Sequence, residues 1–182
     1  MARGTLFLIV GASGAGKDSL IHGAREALAA NEDYLFARRT ITRPIDPARE
    51  IHEELSGKEF ARRAKAGDFM ASWNAYKTDY GISSDYAADL KAGQHVVANV
   101  SRETVGNLAA HSRPVCVIQI TAPPALLEQR LRARGDAKAA AERLSRAVVL
   151  PDHISVNHLL NAGSLEKGVN RLVTFLTTLS KP

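Results

Sequence analysis

Residues 5–19 read TLFLIVGASGAGKDS, an apolar run that leads directly into a glycine-rich loop with a lysine near its end. The apolar part predicts a buried β-strand over 5–10, and the residues from 17 to about 30 predict a helix. A strand, a G-x-x-x-x-G-K loop and a helix in this order are typical of a phosphate-binding loop, whose backbone N–H groups and helix dipole hold phosphate oxygens. The sequence therefore predicts a site for a nucleoside triphosphate, with these binding residues: Gly11, Ala12, Ser13, Gly14, Ala15, Gly16, Lys17, Asp18 and Ser19.

The residue after the lysine departs from the usual loop. That position normally holds a hydroxyl that binds Mg²⁺, whereas this chain has Asp18 there and Ser19 one step later. One interpretation is that Asp18, with Ser19, bears on Mg²⁺ directly or through water, since Mg²⁺ prefers one or two carboxylates together with phosphate oxygens. The other is that Asp18 is a first-turn acidic residue stabilised by the helix dipole.

Composition restricts the class of protein. The chain has 182 residues, 45% of them hydrophobic and 24% charged, which predicts one globular domain over 1–182. No apolar run is long enough for a membrane span, and the single cysteine, Cys116, lies in an apolar run typical of a core. We expect a cytoplasmic protein.

The net charge of +5 suits nucleic acid or small polyphosphates. However, the sequence has no long basic run, and its aromatic residues are not interleaved with basic ones. We therefore predict neither a nucleic-acid nor a membrane partner. The oligomeric state stays open.

Apolar runs alternate with helical segments along the chain. This order predicts a three-layer α/β fold with a mainly parallel sheet. The predicted strands cover 5–10, 34–42, 68–73, the surroundings of Tyr80, 95–100, 115–121 and 155–160. The predicted helices cover 17–30, 57–66 behind a capping box at Ser56, 85–91, 123–134, 137–149 and a last helix from Ser164 to about 179. The stretch of about 43–93 interrupts the alternation and predicts an inserted substrate-binding lobe.

Two groups of arginines fit an anionic ligand. Residues 38–44 read RRTITRP at a predicted strand end, where Arg39 and Arg43 would face the same crevice as the loop. Residues 124–135 read PALLEQRLRARG, which places Arg130 and Arg134 on one helix face, and Arg143 lies on the next helix. The second group predicts a mobile lid over about 130–146 that brings positive charge to a transferring phosphoryl group. In both groups, ordinary solvated charge is the alternative.

These motifs resemble a known family. The phosphate loop, the TITRP segment, Tyr80-Gly81 and the LEQRLRARG segment resemble the guanylate kinase-like family of P-loop enzymes. Further motifs resemble its ribose 1,5-bisphosphate phosphokinases of phosphonate metabolism: GASGAGKDSL at 11–20, Glu50-x-His52, NVSR at 99–102 and NAGSL at 161–165. The resemblance runs along nearly the whole chain. It implies a guanylate kinase-like fold with an inserted substrate lobe and an arginine-rich lid.

The resemblance also implies an activity. Such enzymes move the γ-phosphoryl group of ATP, with Mg²⁺, to the 1-phosphate of ribose 1,5-bisphosphate and form 5-phosphoribosyl 1-diphosphate. The implied catalytic residues are Lys17, Arg130, Arg134 and Arg143, and the implied metal residues are Asp18 and Ser19. The implied acceptor-binding residues are Arg39, Arg43, Glu50, Tyr80 and Arg102. Arg49 stands where a small residue is expected before Glu50, which weakens the assignment of Glu50.

Other functions stay open at this point. Guanylate kinases carry aspartates at the end of the strand that here ends near Asn99, so a GMP kinase fits less well. A non-catalytic guanylate kinase-like interaction module need not keep Lys17, and this chain does. The choice between ATP and GTP is not decided by these residues.

Overall fold

The structure is a computed structural model, and it describes residues 3–45, 52–112, 114–133, 150 and 154–180. Three of the predicted site residues, Glu50, Arg134 and Arg143, lie outside the described residues. So does the predicted helix over 137–149, together with most of the predicted lid.

The described chain forms two sheets and six α-helices. The strands are β1 (Leu6–Val10), β2 (Tyr34–Phe36), β3 (Arg39–Ile41), β4 (Glu53–Glu54), β5 (Phe69–Ala75), β6 (Thr78–Ser83), β7 (His95–Asn99), β8 (Val115–Thr121) and β9 (Val156–Leu160). The helices are α1 (Lys17–Ala27), α2 (Gly57–Ala66), α3 (Tyr86–Ala92), α4 (Val105–His111), α5 (Pro124–Ala133) and α6 (Leu165–Leu179), with a 3₁₀ turn at Arg102–Thr104. A five-stranded parallel sheet has the order β2-β7-β1-β8-β9, and a four-stranded sheet has the order β4-β3-β6-β5.

Strand β1 is the centre of the parallel sheet and is buried on both faces. Leu6 and Leu8 pack into one apolar cluster with residues of α3 and α4. Phe7 and Ile9 point the other way, into a cluster with residues of α1, α5 and α6. Helices therefore cover both faces of a parallel sheet, which confirms the predicted three-layer α/β fold. Among the described helices, none has the length and apolar character to cross a membrane.

The prediction of one continuous strand over 34–42 was wrong. The run 34–42 was expected to be a single strand, but it is divided into β2 and β3, which belong to different sheets. The Ala37 amide makes the last bond to β7, through the Val97 carbonyl at 2.8 Å, and the next amide, of Arg38, donates to the Tyr86 hydroxyl at 2.9 Å. Pairing with β6 then begins at Arg39. The chain leaves the parallel sheet because its next hydrogen-bond partners come from the second sheet and from α3.

The helix caps follow the sequence closely. Ser56 accepts from the Glu59 amide at 3.2 Å and Ser164 from the Lys167 amide at 3.4 Å, as their positions predicted. The short strand β4 and the helix α4 were not predicted. The second sheet runs from Arg39 to Ser83, a different range from the 43–93 expected for a substrate lobe.

Candidate active site

The phosphate loop joins β1 to α1 and requires glycine at two positions. Gly11 has φ 147°, and a Cβ there would lie 2.2 Å from the Ile120 carbonyl oxygen. Gly16, which caps α1, has φ 89°, and a Cβ there would lie 2.4 Å from Nδ2 of Asn161. Both positions combine a left-handed backbone with close packing, so a side chain would displace the loop.

Two side chains hold the loop from neighbouring elements. Asn161, which follows β9 and is 5% exposed, donates from Nδ2 to the Ala15 carbonyl at 2.8 Å. Arg130 on α5 donates from its guanidinium to the carbonyls of Gly14 and Ala15 at 3.3 and 3.4 Å. The structure thus brings the predicted Arg130 to the loop. The role of Asn161 was missed, because its partner lies 146 residues away and no local pattern signals it.

The Lys17 ammonium lies against the loop itself. Its Nζ donates to the carbonyls of Gly11 and Ala12 at 2.8 and 3.0 Å. A full positive charge therefore stands over the loop, beside the N-terminus of α1. Charge and helix dipole together favour the phosphate groups of a nucleotide.

Asp18 brings three elements of the molecule together. Its Oδ1 accepts from Nδ2 of Asn99, the last residue of β7, at 2.7 Å. The guanidinium of Arg39, on β3 of the second sheet, lies 3.6 Å from the same oxygen. The loop helix, the parallel sheet and the second sheet therefore meet at one carboxylate.

Arg39 also lies on an aromatic stack. Its guanidinium carbon is 5.4 Å from the centre of the Tyr80 ring, and Tyr80 stacks on Trp73 with ring centres 5.4 Å apart and planes 5° apart. Trp73 and Tyr80 are direct cross-strand partners in β5 and β6. The Arg39 side chain is only 14% exposed, so this stack and Asp18 restrict where its charge can lie. Trp73 was missed as a site residue, although its hairpin pairing with Tyr80 was the available signal.

Arg43 follows the end of β3, where the turn is closed by side chains. The buried His52 ring contacts the Arg43 carbonyl at 2.9 Å through Nε2, and Arg38 donates to the His52 carbonyl at 2.8 Å. Arg102 lies half-buried in the 3₁₀ turn directly after β7. Arg43 and Arg102 thus follow strand ends near Arg39 and Asn99, and their contact with a ligand stays a prediction.

Arg130 also lines a cavity of about 350 Å³. Its lining residues come from the loop, α1, α5 and the segment after β9: Gly16, Ser19, Arg130, Ala133, Asn161, Gly163 and Leu165. Leu165 is an apolar side chain that is 57% exposed. This combination suits a flat heteroaromatic ring, because the ring can contact the Leu165 side chain and stack on the Arg130 guanidinium.

The residues at the loop also fit a hydrated divalent cation. Among the described residues, no group of three or more His, Cys, Asp or Glu side chains could hold a metal ion. The loop offers one carboxylate, Asp18, beside a buried amide, Asn99. That donor set suits Mg²⁺ bound chiefly by phosphate oxygens and water. Cys116 is no candidate nucleophile, since burial raises the pKa of its thiol to about 11.

Comparison with known proteins finds relatives that match most of this chain. No protein-family model matches it. The protein named ribose 1,5-bisphosphate phosphokinase PhnN of Methylobacterium radiotolerans is 39% identical over 175 residues, covering 95% of this chain and 97% of that protein. The one of Acidiphilium cryptum is 47% identical over 146 residues, covering 79% of this chain and 77% of that protein.

Longer relatives match as well. The bifunctional ribose 1,5-bisphosphokinase-thymidine phosphorylase of Cupriavidus necator is 44% identical over 180 residues, covering 97% of this chain. This chain spans only 30% of that relative's length. Among solved structures, guanylate kinase from Anaplasma phagocytophilum superposes with a TM-score of 0.74 at 15% identity, covering 100% of this chain and 88% of that one. At such identity the likeness shows the fold alone.

Proposed function

We propose that this chain, which belongs to the ribose 1,5-bisphosphate phosphokinase family, transfers the γ-phosphoryl group of ATP to the 1-phosphate of ribose 1,5-bisphosphate. The products are ADP and 5-phosphoribosyl 1-diphosphate. Because ATP is supplied in the cytoplasm, we place the reaction there.

The donor side of the proposed site is the loop Gly11–Ser19 with Arg130 and Asn161. The loop and Lys17 would hold the β- and γ-phosphates. The base would enter the cavity near Arg130, where Leu165 offers an apolar surface.

The acceptor side is Arg39, Arg43, Tyr80 and Arg102, with Glu50 as a further candidate. Arginine forks match phosphate oxygens in two parallel hydrogen bonds, so these residues would receive the two phosphates of the acceptor. The stack of Trp73 and Tyr80 would provide a flat support beside them.

The observation that carries the proposal is the meeting of Arg39 and Asp18, 3.6 Å apart. It places a cation of the second sheet directly beside the phosphate loop. Two anionic substrates must approach each other in this reaction, and positive groups from both sides are what that approach requires.

The proposed step exchanges one P–O bond for another. A non-bridging oxygen of the acceptor's 1-phosphate forms a bond to the γ-phosphorus, and the bond from that phosphorus to the β,γ-bridging oxygen breaks, which leaves ADP. No general base is needed, because the acceptor oxygen is already deprotonated. Lys17 and Arg130, with Arg134 and Arg143, would stabilise charge on the transferring group. Bound Mg²⁺ would neutralise charge on the phosphate oxygens, and Asp18 and Ser19 are the residues to hold it.

The experiment that tests the function offers ATP and Mg²⁺ with either ribose 1,5-bisphosphate or GMP and follows products by ³¹P NMR. We expect the signals of a sugar diphosphate, beside those of ADP, to appear with the sugar bisphosphate only. GMP is the right competitor because of the guanylate kinase fold. Transfer to GMP alone would overturn the proposal.

A further inference from the structure

Asn99 joins the end of the parallel sheet to the first turn of α1. It is opposite Ile9 in the register of β1 and β7, and its Nδ2 donates to Oδ1 of Asp18, a residue 81 positions away in sequence. A carboxylate can only accept, so this bond fixes which end of the amide faces Asp18. The Asp18 carboxylate is thereby oriented by a buried side chain of the sheet.

Within the described part of the chain, the other end of the same amide has no hydrogen-bond partner. Asn99 is 6% exposed, and among the described residues its Oδ1 is the buried side-chain polar atom for which the structure gives no hydrogen bond. Nearly all buried acceptors in proteins have a hydrogen-bond partner, so an exception calls for an explanation. The bond to Asp18 supplies the explanation: it fixes the orientation of the amide, although this leaves Oδ1 with no donor among the described residues.

The pair of Asp18 and Asn99 contains one carboxylate and one neutral amide. An aspartate at 99 would put a second negative charge 2.7 Å from Asp18, and one of the two would have to take up a proton. Asparagine avoids this conflict and donates instead. Both described contacts of Asp18, with Asn99 and with Arg39, fall on Oδ1, which leaves Oδ2 for a cation or its water.

We infer that Asn99 is a positioning residue for the divalent cation. It holds the Asp18 carboxylate toward the phosphate loop, where Oδ2 can contact the cation or its water. Asp18 and Asn99 act as one unit, in which the carboxylate sits on the loop helix and the amide sits at the strand end. This inference rests on the proposed use of a nucleotide with Mg²⁺.

The test measures binding of Mn²⁺, as a probe for Mg²⁺, to the protein saturated with ADP, by electron paramagnetic resonance. Asn99→Ala should weaken Mn²⁺ binding about tenfold, a typical effect of losing a residue that orients a metal ligand. Asp18→Asn should weaken it at least as much. The exchanged variant Asp18→Asn/Asn99→Asp restores one carboxylate and one amide, and it should recover most of the loss.

The matched control is Asn157→Ala. Asn157 also donates from a strand, to Cys116 Sγ and the Val117 carbonyl at 3.4 and 3.3 Å, and neither of these partners belongs to the phosphate loop. It should leave Mn²⁺ affinity unchanged. Thermal unfolding of each variant separates misfolding from a metal effect, and Asn99→Ser replaces Asn99→Ala if the latter unfolds.

Two outcomes would overturn the inference. One is wild-type Mn²⁺ affinity in the folded Asn99 variant, and the other is an exchanged variant that binds Mn²⁺ as weakly as Asp18→Asn. Since no acceptor is present in this measurement, it decides the role of Asn99 independently of which acceptor the enzyme uses. Failure of the proposed function would show in the acceptor assay instead.

Discussion

The donor side and the acceptor side of the candidate site are built by different means. The loop on the donor side is a local backbone structure, shaped by Gly11 and Gly16 and held by Asn161. The acceptor side depends on the side chain of Arg39, which lies between Tyr80 and Asp18. A backbone site tolerates little change in its shape, whereas a side-chain site can change specificity by single substitutions. This difference predicts separable kinetic effects.

The largest effect is expected on the donor side, from Lys17→Ala. Loss of the ammonium should lower kcat by about 100- to 1,000-fold, as loss of one preorganised charge-stabilising group does. The KM for ribose 1,5-bisphosphate should change little, and steady-state kinetics with both substrates varied would measure it. Near-normal turnover in this variant would contradict the assignment of Lys17.

The next effect separates the two sides. Arg39→Ala should raise the KM for the sugar bisphosphate by about 10- to 100-fold, the range for hydrogen bonds to charged groups, with ADP affinity nearly unchanged. The control is Arg63→Ala. Arg63 is on α2, but like Arg39 it contacts the second sheet: its guanidinium lies 5.0 Å from the centre of the Phe69 ring and pairs with Glu53. The substitution should lower the melting temperature without a selective effect on acceptor KM. If Arg39→Ala weakened ADP binding as much as it raised the KM for the sugar bisphosphate, the proposed division between donor side and acceptor side would be wrong.

A smaller effect is expected at the base cavity. Leu165→Ala should weaken ATP and ADP binding about threefold to tenfold, because it removes apolar contact with the base. Leu160→Ala is the matched control, since Leu160 is similarly exposed, 52% against 57%, and does not line the cavity. Isothermal titration with ADP measures both. Identical affinities in the two variants would argue against this cavity as the base site.

The smallest effect concerns the stability of the parallel sheet, at the end of β1 opposite the phosphate loop. Burial lowers the pKa of His95 below its ordinary 6.5, against an opposing influence of Asp33. Its neutral Nδ1 accepts from the Thr5 amide at 2.9 Å. Between pH 6.5 and the lower folded pKa, the unfolded chain binds a proton that the folded protein does not, so stability falls as the pH falls through this window.

Thermal unfolding between pH 8 and pH 5 tests this expectation. The melting temperature of His95→Gln should fall less on acidification than that of the wild type. His111→Gln, at an exposed histidine of α4, is the matched control for replacing a histidine. Parallel curves for wild type and His95→Gln would show that His95 does not contribute.

The parts of the site that the sequence revealed are local ones. The strand, loop and helix of residues 5–27 follow from adjacent residues, and so do the caps at Ser56 and Ser164. The division of 34–42 between two sheets could not be predicted, because both parts are good strands and only distant partners separate them. The bonds from Asn99 to Asp18 and from Asn161 to Ala15 escaped for the same reason, with 81 and 146 residues between the partners. The resemblance named both asparagines without showing what they bind.

The path of the chain into and out of the second sheet has a consequence for engineering. Only Ala37 and Arg38 separate β2 from β3, and Arg39 is the direct partner of Ile82 across the β3–β6 ladder. Partners in such a ladder lie about 5 Å apart, so the segment 39–82 begins and ends at nearly the same point. It is therefore a cassette that could be exchanged for the corresponding segment of another kinase, provided that the residues that pack on the core, such as Ile82 and Trp73, are matched. Such a chimaera would keep the nucleotide-binding scaffold while its choice of acceptor is replaced.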